Sequence, residues 1–86
     1  MSSPDSKRIQ ATLREALETQ IREADPPETR QTFDRLRAAG VPEDAVWRLL
    51  SVALLAELNA MSKDGRPYNR DIYVRRLSEL PKFTVD

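Results

Sequence analysis

The stretch from Val46 to Met61 constrains the fold of this chain more than any other segment. Apolar residues recur there at the three- and four-residue spacing of an α-helix with a wide apolar face. The flanking segments show the same helical period, and no run alternates apolar and polar residues as a half-buried strand does. We therefore predict an all-α protein in which the helix that contains this stretch lies at the centre.

Start and stop signals divide the sequence into four helices. Pro26 predicts a break between the first two, because the residue before a proline is disfavoured in a helix. Gly40 and Gly65 suit the left-handed residue that ends a helix, and Asn69 suits the N-cap of the last one. The helices are predicted at about 6–24, 28–39, 42–62 and 70–80, joined by short connections into a compact bundle.

The length of the chain and its residue types limit what it can do. The 86 residues predict one domain over 1–86, in which 1–5 and 82–86 are loose ends. There is no cysteine and no histidine, so zinc thiolates and imidazole bases are excluded. A third possibility, an enzyme that uses Glu57 as a general base, needs a pocket that the sequence does not show. We expect no enzyme, no cofactor and no metal site.

Charge and targeting signals favour a cytoplasmic protein. The first residues, Met-Ser-Ser-Pro-Asp, lack the cationic and apolar regions of a signal peptide. Arg48 and Glu57 interrupt the Val46–Met61 stretch, which predicts a segment too short and too charged to span a bilayer. Fourteen basic residues balance fourteen acidic ones. A net charge of zero gives little repulsion between copies, which makes self-association easier.

Two polar residues occupy apolar faces and are candidate site residues. On a helical wheel, Glu57 lies opposite the polar side of its helix, and Gln20 lies in the apolar stripe of the first helix. A buried carboxylate is costly unless it is paired, so we predict that Glu57 is at least half buried and hydrogen-bonded. The pattern also suggests that Gln20 and Glu57 contact each other as a buried polar pair.

Glu57 has two interpretations. In the structural one it pairs with an arginine for folding reasons. The candidate arginines are Arg70, Arg75 and Arg76. In the functional one it lies at the floor of a pocket or of a partner groove.

A candidate interface consists of Trp47, Arg48 and Leu55. Leu55 falls within an otherwise polar stripe of the third helix, and Trp47 lies at the edge of the apolar arc. Trp47 is either a partly buried core residue or, if partly exposed, an interface anchor. The first functional prediction is therefore a non-catalytic interaction module, with an unknown protein partner or as a homodimer.

The last quarter of the chain suggests the alternative, an accessory nucleic-acid-binding protein. Positive charge next to aromatic rings can hold single-stranded nucleic acid. The residues concerned are Arg66, Tyr68, Arg70, Arg75 and Arg76. The simpler interpretation is a solvated helix face, because Asp71 and Glu79 lie among them and dilute the charge.

A set of short motifs resembles a bacterial family of uncharacterised short all-helical domains, relatives of which occur beside SEC-C-type metal motifs. The motifs are Gln20-Ile21, Asp25-Pro26-Pro27-Glu28-Thr29, Gly40, Glu57, Gly65-Arg66-Pro67-Tyr68, Tyr73 and Leu80-Pro81. The resemblance implies that Gln20, Glu57, Arg66 and Tyr73 occupy recurring positions, and it implies no activity. Family members tend to carry a histidine where this chain has Arg14, so any site served by that histidine is in doubt here.

Overall fold

In a computed structural model, the chain folds into four helices, and the structure describes residues 4 to 81. The helices are α1 (Pro4–Glu23), α2 (Pro27–Ala38), α3 (Glu43–Asp64) and α4 (Arg70–Ser78). The predicted all-α bundle of four helices is confirmed. The predicted loose ends fall mostly outside the described residues, but Pro4 and Asp5 belong to the first turn of α1.

Three residues with left-handed backbone conformation follow the ends of α1, α2 and α3. Ala24 ends α1 at φ 52°, and the next N–H, that of Asp25, donates to the Gln20 carbonyl at 3.0 Å. Gly40 and Gly65 follow α2 and α3 at φ 93° and 62°. Glycine reaches this region without the steric cost that a Cβ imposes, which is why these positions end helices.

The core forms where α3 meets the other three helices. α3 contacts α1, α2 and α4, as expected for the central helix of the bundle. The buried apolar residues come from all four helices and from the turn after α4. They are Leu13, Leu17, Leu36, Val46, Leu50, Ala53, Leu54, Tyr73, Leu77 and Leu80.

One side of α3 remains open to solvent. Its buried residues lie on a single arc, whereas Leu55 and Leu58 are 39% and 42% exposed. α3 has 22 residues and is long and apolar enough to cross a membrane by length and composition alone, so the prediction that this segment is too short does not hold. The mostly buried core helix of a soluble protein meets the same criterion; in α3, which contacts the three other helices, 28% of the apolar window is buried.

Candidate functional site

Glu57 is a fully buried carboxylate at the C-terminal end of α3. Its exposed fraction is 0%, and both of its oxygens accept hydrogen bonds from Arg66. Nη1 of Arg66 donates to Oε2 at 2.9 Å, and Nη2 donates to Oε1 at 3.0 Å. The backbone N–H of Asn69 also donates to Oε2 at 3.0 Å. A two-pronged arginine and a backbone donor together replace the water that the carboxylate loses on burial.

The turn between α3 and α4 positions these donors. Gly65 adopts the left-handed conformation, and the N–H of Arg66 donates to the Met61 carbonyl at 3.1 Å. This bond reverses the chain, so that the Arg66 side chain lies back against Glu57. Asn69 then caps α4, because its Oδ1 accepts from the N–H of Ile72 at 3.1 Å. Glu57 therefore ties the end of one helix to the beginning of the next.

The same contacts set the ionisation of Glu57. The hydrogen bond from Arg66 lowers the pKa of the Glu57 carboxyl most strongly, and burial opposes it by favouring the neutral form. The Asn69 N–H and the charges of Arg66 and Arg76 lower that pKa further, so that the net shift is downward from 4.5. Glu57 is thus an ionised, fully engaged carboxylate and a poor general base at neutral pH.

Gln20 belongs to a second polar cluster, which joins three helices. Its Oε1 accepts from the Tyr73 hydroxyl at 2.9 Å and from the Thr29 hydroxyl at 2.8 Å. Tyr73 and Thr29 are both fully buried. Burial raises the pKa of Tyr73 to about 12, although its hydrogen bonds to Thr29 and Gln20 act in the opposite direction. The hydroxyl therefore stays protonated and holds α4 against α1.

The predicted Gln20–Glu57 pair is not among the hydrogen bonds of the described residues, in which the Gln20 side-chain oxygen and the Glu57 carboxylate have other partners. Glu57 accepts from Arg66 and Asn69 within its own helix–turn–helix segment, whereas Gln20 accepts from Thr29 and Tyr73. Helical wheels give the face on which a residue lies and not its partner across the bundle.

The arginine that pairs with Glu57 is one that the candidate list did not contain. Arg66 comes nine residues after Glu57, close enough for the turn to bring it back. Of the three candidates, only Arg76 approaches Glu57, with Nε 3.9 Å from Oε1. The sequence predicted a left-handed residue at Gly65. Because such a residue reverses the chain, it also indicates that the next residue, Arg66, turns back towards α3.

The basic and aromatic residues of the last quarter are mostly engaged within the fold. Arg66 bonds Glu57 and also lies 3.7 Å from the Asp64 carboxylate. Arg70 lies 3.6 Å from a Glu28 oxygen and 4.0 Å from an Asp25 oxygen, a pairing across to the α1–α2 junction. Arg75 is exposed, and Tyr68 packs edge-on against Tyr73 at 6.0 Å while remaining 45% exposed. Nearby carboxylates therefore offset most of this positive charge.

The predicted interface residues line a groove between α1 and α3. Trp47 is half-buried, 5.2 Å from the Phe33 ring, and the Arg14 guanidinium lies 3.8 Å above its indole. Arg48 and Leu55 are exposed. The groove has a volume of about 700 Å³. Its apolar lining consists of Leu13, Trp47, Val52 and Leu55, and its charged lining includes Arg14, Glu43, Asp44 and Arg48.

Among the side chains of residues 7 to 81, no group of three or more acidic residues is placed to hold a metal ion. The residues that the sequence analysis singled out fall mainly in the Glu57 cluster, which is closed to solvent, and in the groove between α1 and α3, which is open. The resemblance to uncharacterised helical domains stays a prediction. No protein-family model matches the chain, and neither does any curated protein or any solved structure.

Proposed function

We propose that this chain is a cytoplasmic, non-catalytic interaction module that binds protein through the groove between α1 and α3. The groove combines an apolar floor with a charged rim, the arrangement that protein interfaces have. Trp47 contributes a rigid aromatic surface, and the guanidinium of Arg14 stacks on it. Tryptophan and arginine are the residue types that most often dominate binding energy at such surfaces.

The observation that carries the proposal is the exposure of Leu55. It lies on the most apolar helix of the chain, on the side opposite the buried residues, and it is 39% exposed in the groove that Trp47 also lines. One exposed leucine is common on protein surfaces. Here Leu55 is continuous with Leu13, Val52 and Trp47 along one groove, and a continuous apolar patch is typical of an interaction site.

The state of Glu57 supports a role without chemistry. Both of its oxygens accept hydrogen bonds from a guanidinium, and burial excludes substrate from it. A carboxylate in this state stabilises the α3–α4 turn and has no surface exposed to solvent. Binding is therefore the activity that the accessible part of the molecule supports best.

Site-specific photo-crosslinking in cells tests the proposal. A benzophenone amino acid at position 55 should capture a defined protein, and the same group at the exposed Gln31 on α2 should not. The captured protein, identified by mass spectrometry and purified, should bind the wild-type chain and lose that binding to the Leu55→Asp variant. Capture of the same products from both positions, or of nucleic acid from position 55, would overturn the proposal.

A further inference from the structure

The solvent side of α3 has a regular pattern. Six of its positions follow one another in alternating steps of four and three residues, the spacing of a seam at which two helices pack. These positions, here called the outer face, are Asp44, Arg48, Ser51, Leu55, Leu58 and Ser62. Only Ser51 is partly covered, and the other five side chains are exposed. The outer face is therefore a helix-packing seam that no element of residues 4 to 81 covers.

Charge along the outer face depends on the position in the helix. Asp44 stands at the N-terminal end, and Lys63 stands beside the face at the C-terminal end, both exposed. Asp64 follows Lys63, but a rotation of about 100° per residue places it on the opposite side of the helix from Leu55. There its carboxylate lies 3.7 Å from Nε of Arg66. The outer face therefore carries Asp44 at its N-terminal end and Arg48 one turn further on, with Lys63 beside its C-terminal end.

This placement of the charged residues favours one orientation of two copies over the other. Two parallel copies would set Asp44 against Asp44 and Arg48 against Arg48, which is repulsive. Two antiparallel copies set each Asp44 near Lys63 of the second copy, and they also oppose the two helix dipoles favourably. A two-fold axis near the middle of α3 then brings the two Leu55 side chains close to the centre.

We infer that the occupant of the outer face is a second copy of this chain, packed antiparallel through α3. The inference rests on the proposed function and names its partner. Zero net charge on the chain leaves little long-range repulsion between copies. A helix of 22 residues presents a face about 33 Å long, which together with the groove beside it gives a small interface. The expected dimer is therefore weak, with a Kd on the order of micromolar.

A charge swap tests the pairing. In the Asp44→Lys variant, lysine meets lysine at both ends of the dimer, and in the Lys63→Asp variant, aspartate meets aspartate. Each variant alone should dimerise roughly tenfold more weakly than wild type by sedimentation velocity, because two attractive pairs become repulsive. An equal mixture of the two should recover a Kd close to the wild-type value, because both ends of the mixed dimer then pair opposite charges.

The matched control is Glu15→Lys, which makes the same change in charge at an exposed position on α1. It should leave the Kd unchanged. Circular dichroism checks that each variant keeps its helices, and recovery in the mixture excludes misfolding as the cause of weakening. A wild-type chain that stays monomeric, or a mixture no tighter than its components, would overturn the inference. Capture of a different protein at position 55 would leave the proposed function standing and the second copy excluded.

Discussion

Glu57 is a charged residue on the apolar face of its helix, and its hydrogen bonds to Arg66 and Asn69 allow it to be buried there. The cost of burying its charge is offset by three hydrogen bonds and by the charges of Arg66 and Arg76. The Arg66 side chain keeps 23% of its surface exposed, so one member of the pair retains contact with water. These hydrogen bonds connect α3 to the start of α4 with a defined geometry, whereas an apolar residue at this position would give only non-directional packing.

The Glu57→Gln variant should lower the free energy of unfolding by about 1–3 kcal/mol at pH 7. Because the pKa of Glu57 is lower in the folded state than its ordinary 4.5, the ionised form contributes stability above about pH 4.5. That contribution is lost as the pH falls through the folded pKa, so the two proteins should converge in acid. Thermal unfolding from pH 3 to pH 8 measures the difference.

Glu15→Gln serves as the control for this measurement, since it removes an exposed carboxylate on α1. Its melting temperature should follow the wild-type curve at every pH. Equal melting temperatures for wild type and Glu57→Gln at neutral pH would contradict the stabilising role of the pair.

At the scale of the helices, the turn between α3 and α4 determines where the buried charge finds its partner. Gly65 ends α3 at φ 62°, and the chain reversal that follows brings both Arg66 and Asn69 to the same carboxylate. Asn69 acts twice, with its backbone on Glu57 and its side chain on the first turn of α4. Backbone geometry, helix capping and charge pairing are thus coupled within five residues of sequence.

The Gly65→Ala variant isolates the backbone part of this coupling. A Cβ added at Gly65 would meet no heavy atom within 4 Å, so the only expected cost is the left-handed φ, about 1 kcal/mol. Gly65→Asn should lose less, because asparagine tolerates this conformation better. Denaturant titration measures both variants, with Gln31→Ala at an exposed position of α2 as the control. An alanine variant as stable as wild type would show that the turn does not depend on its glycine.

Over the whole molecule, patterns within one element predicted the structure well and contacts between elements were predicted poorly. The period of the apolar residues, the proline break at Pro26 and the caps at Gly65 and Asn69 indicated the helices to within a few residues. These signals are local, so one segment of sequence contains them. The partners of Gln20 depend on how three helices pack together, and a helical wheel drawn for one helix contains no information about that packing.

Arg66 and Thr29 show two different reasons for what was missed. Arg66 lies in the turn after Gly65 and on no helix, so a helical wheel does not bring it next to Glu57. Thr29 gave no signal, because a threonine in a short polar helix is compatible with solvent and is buried only by tertiary packing. Of the groove, the sequence indicated only Leu55 within an otherwise polar stripe and Trp47 at the edge of the apolar arc.

The central claim is that this chain associates through the side of α3 that carries Leu55. Sedimentation equilibrium of the wild-type chain and of Leu55→Asp, at matched micromolar concentrations, tests it most directly. The wild type should approach twice its mass of 9.8 kDa as concentration rises, and Leu55→Asp should remain near 9.8 kDa with unchanged helicity. A single mass common to both proteins at every concentration would contradict the account.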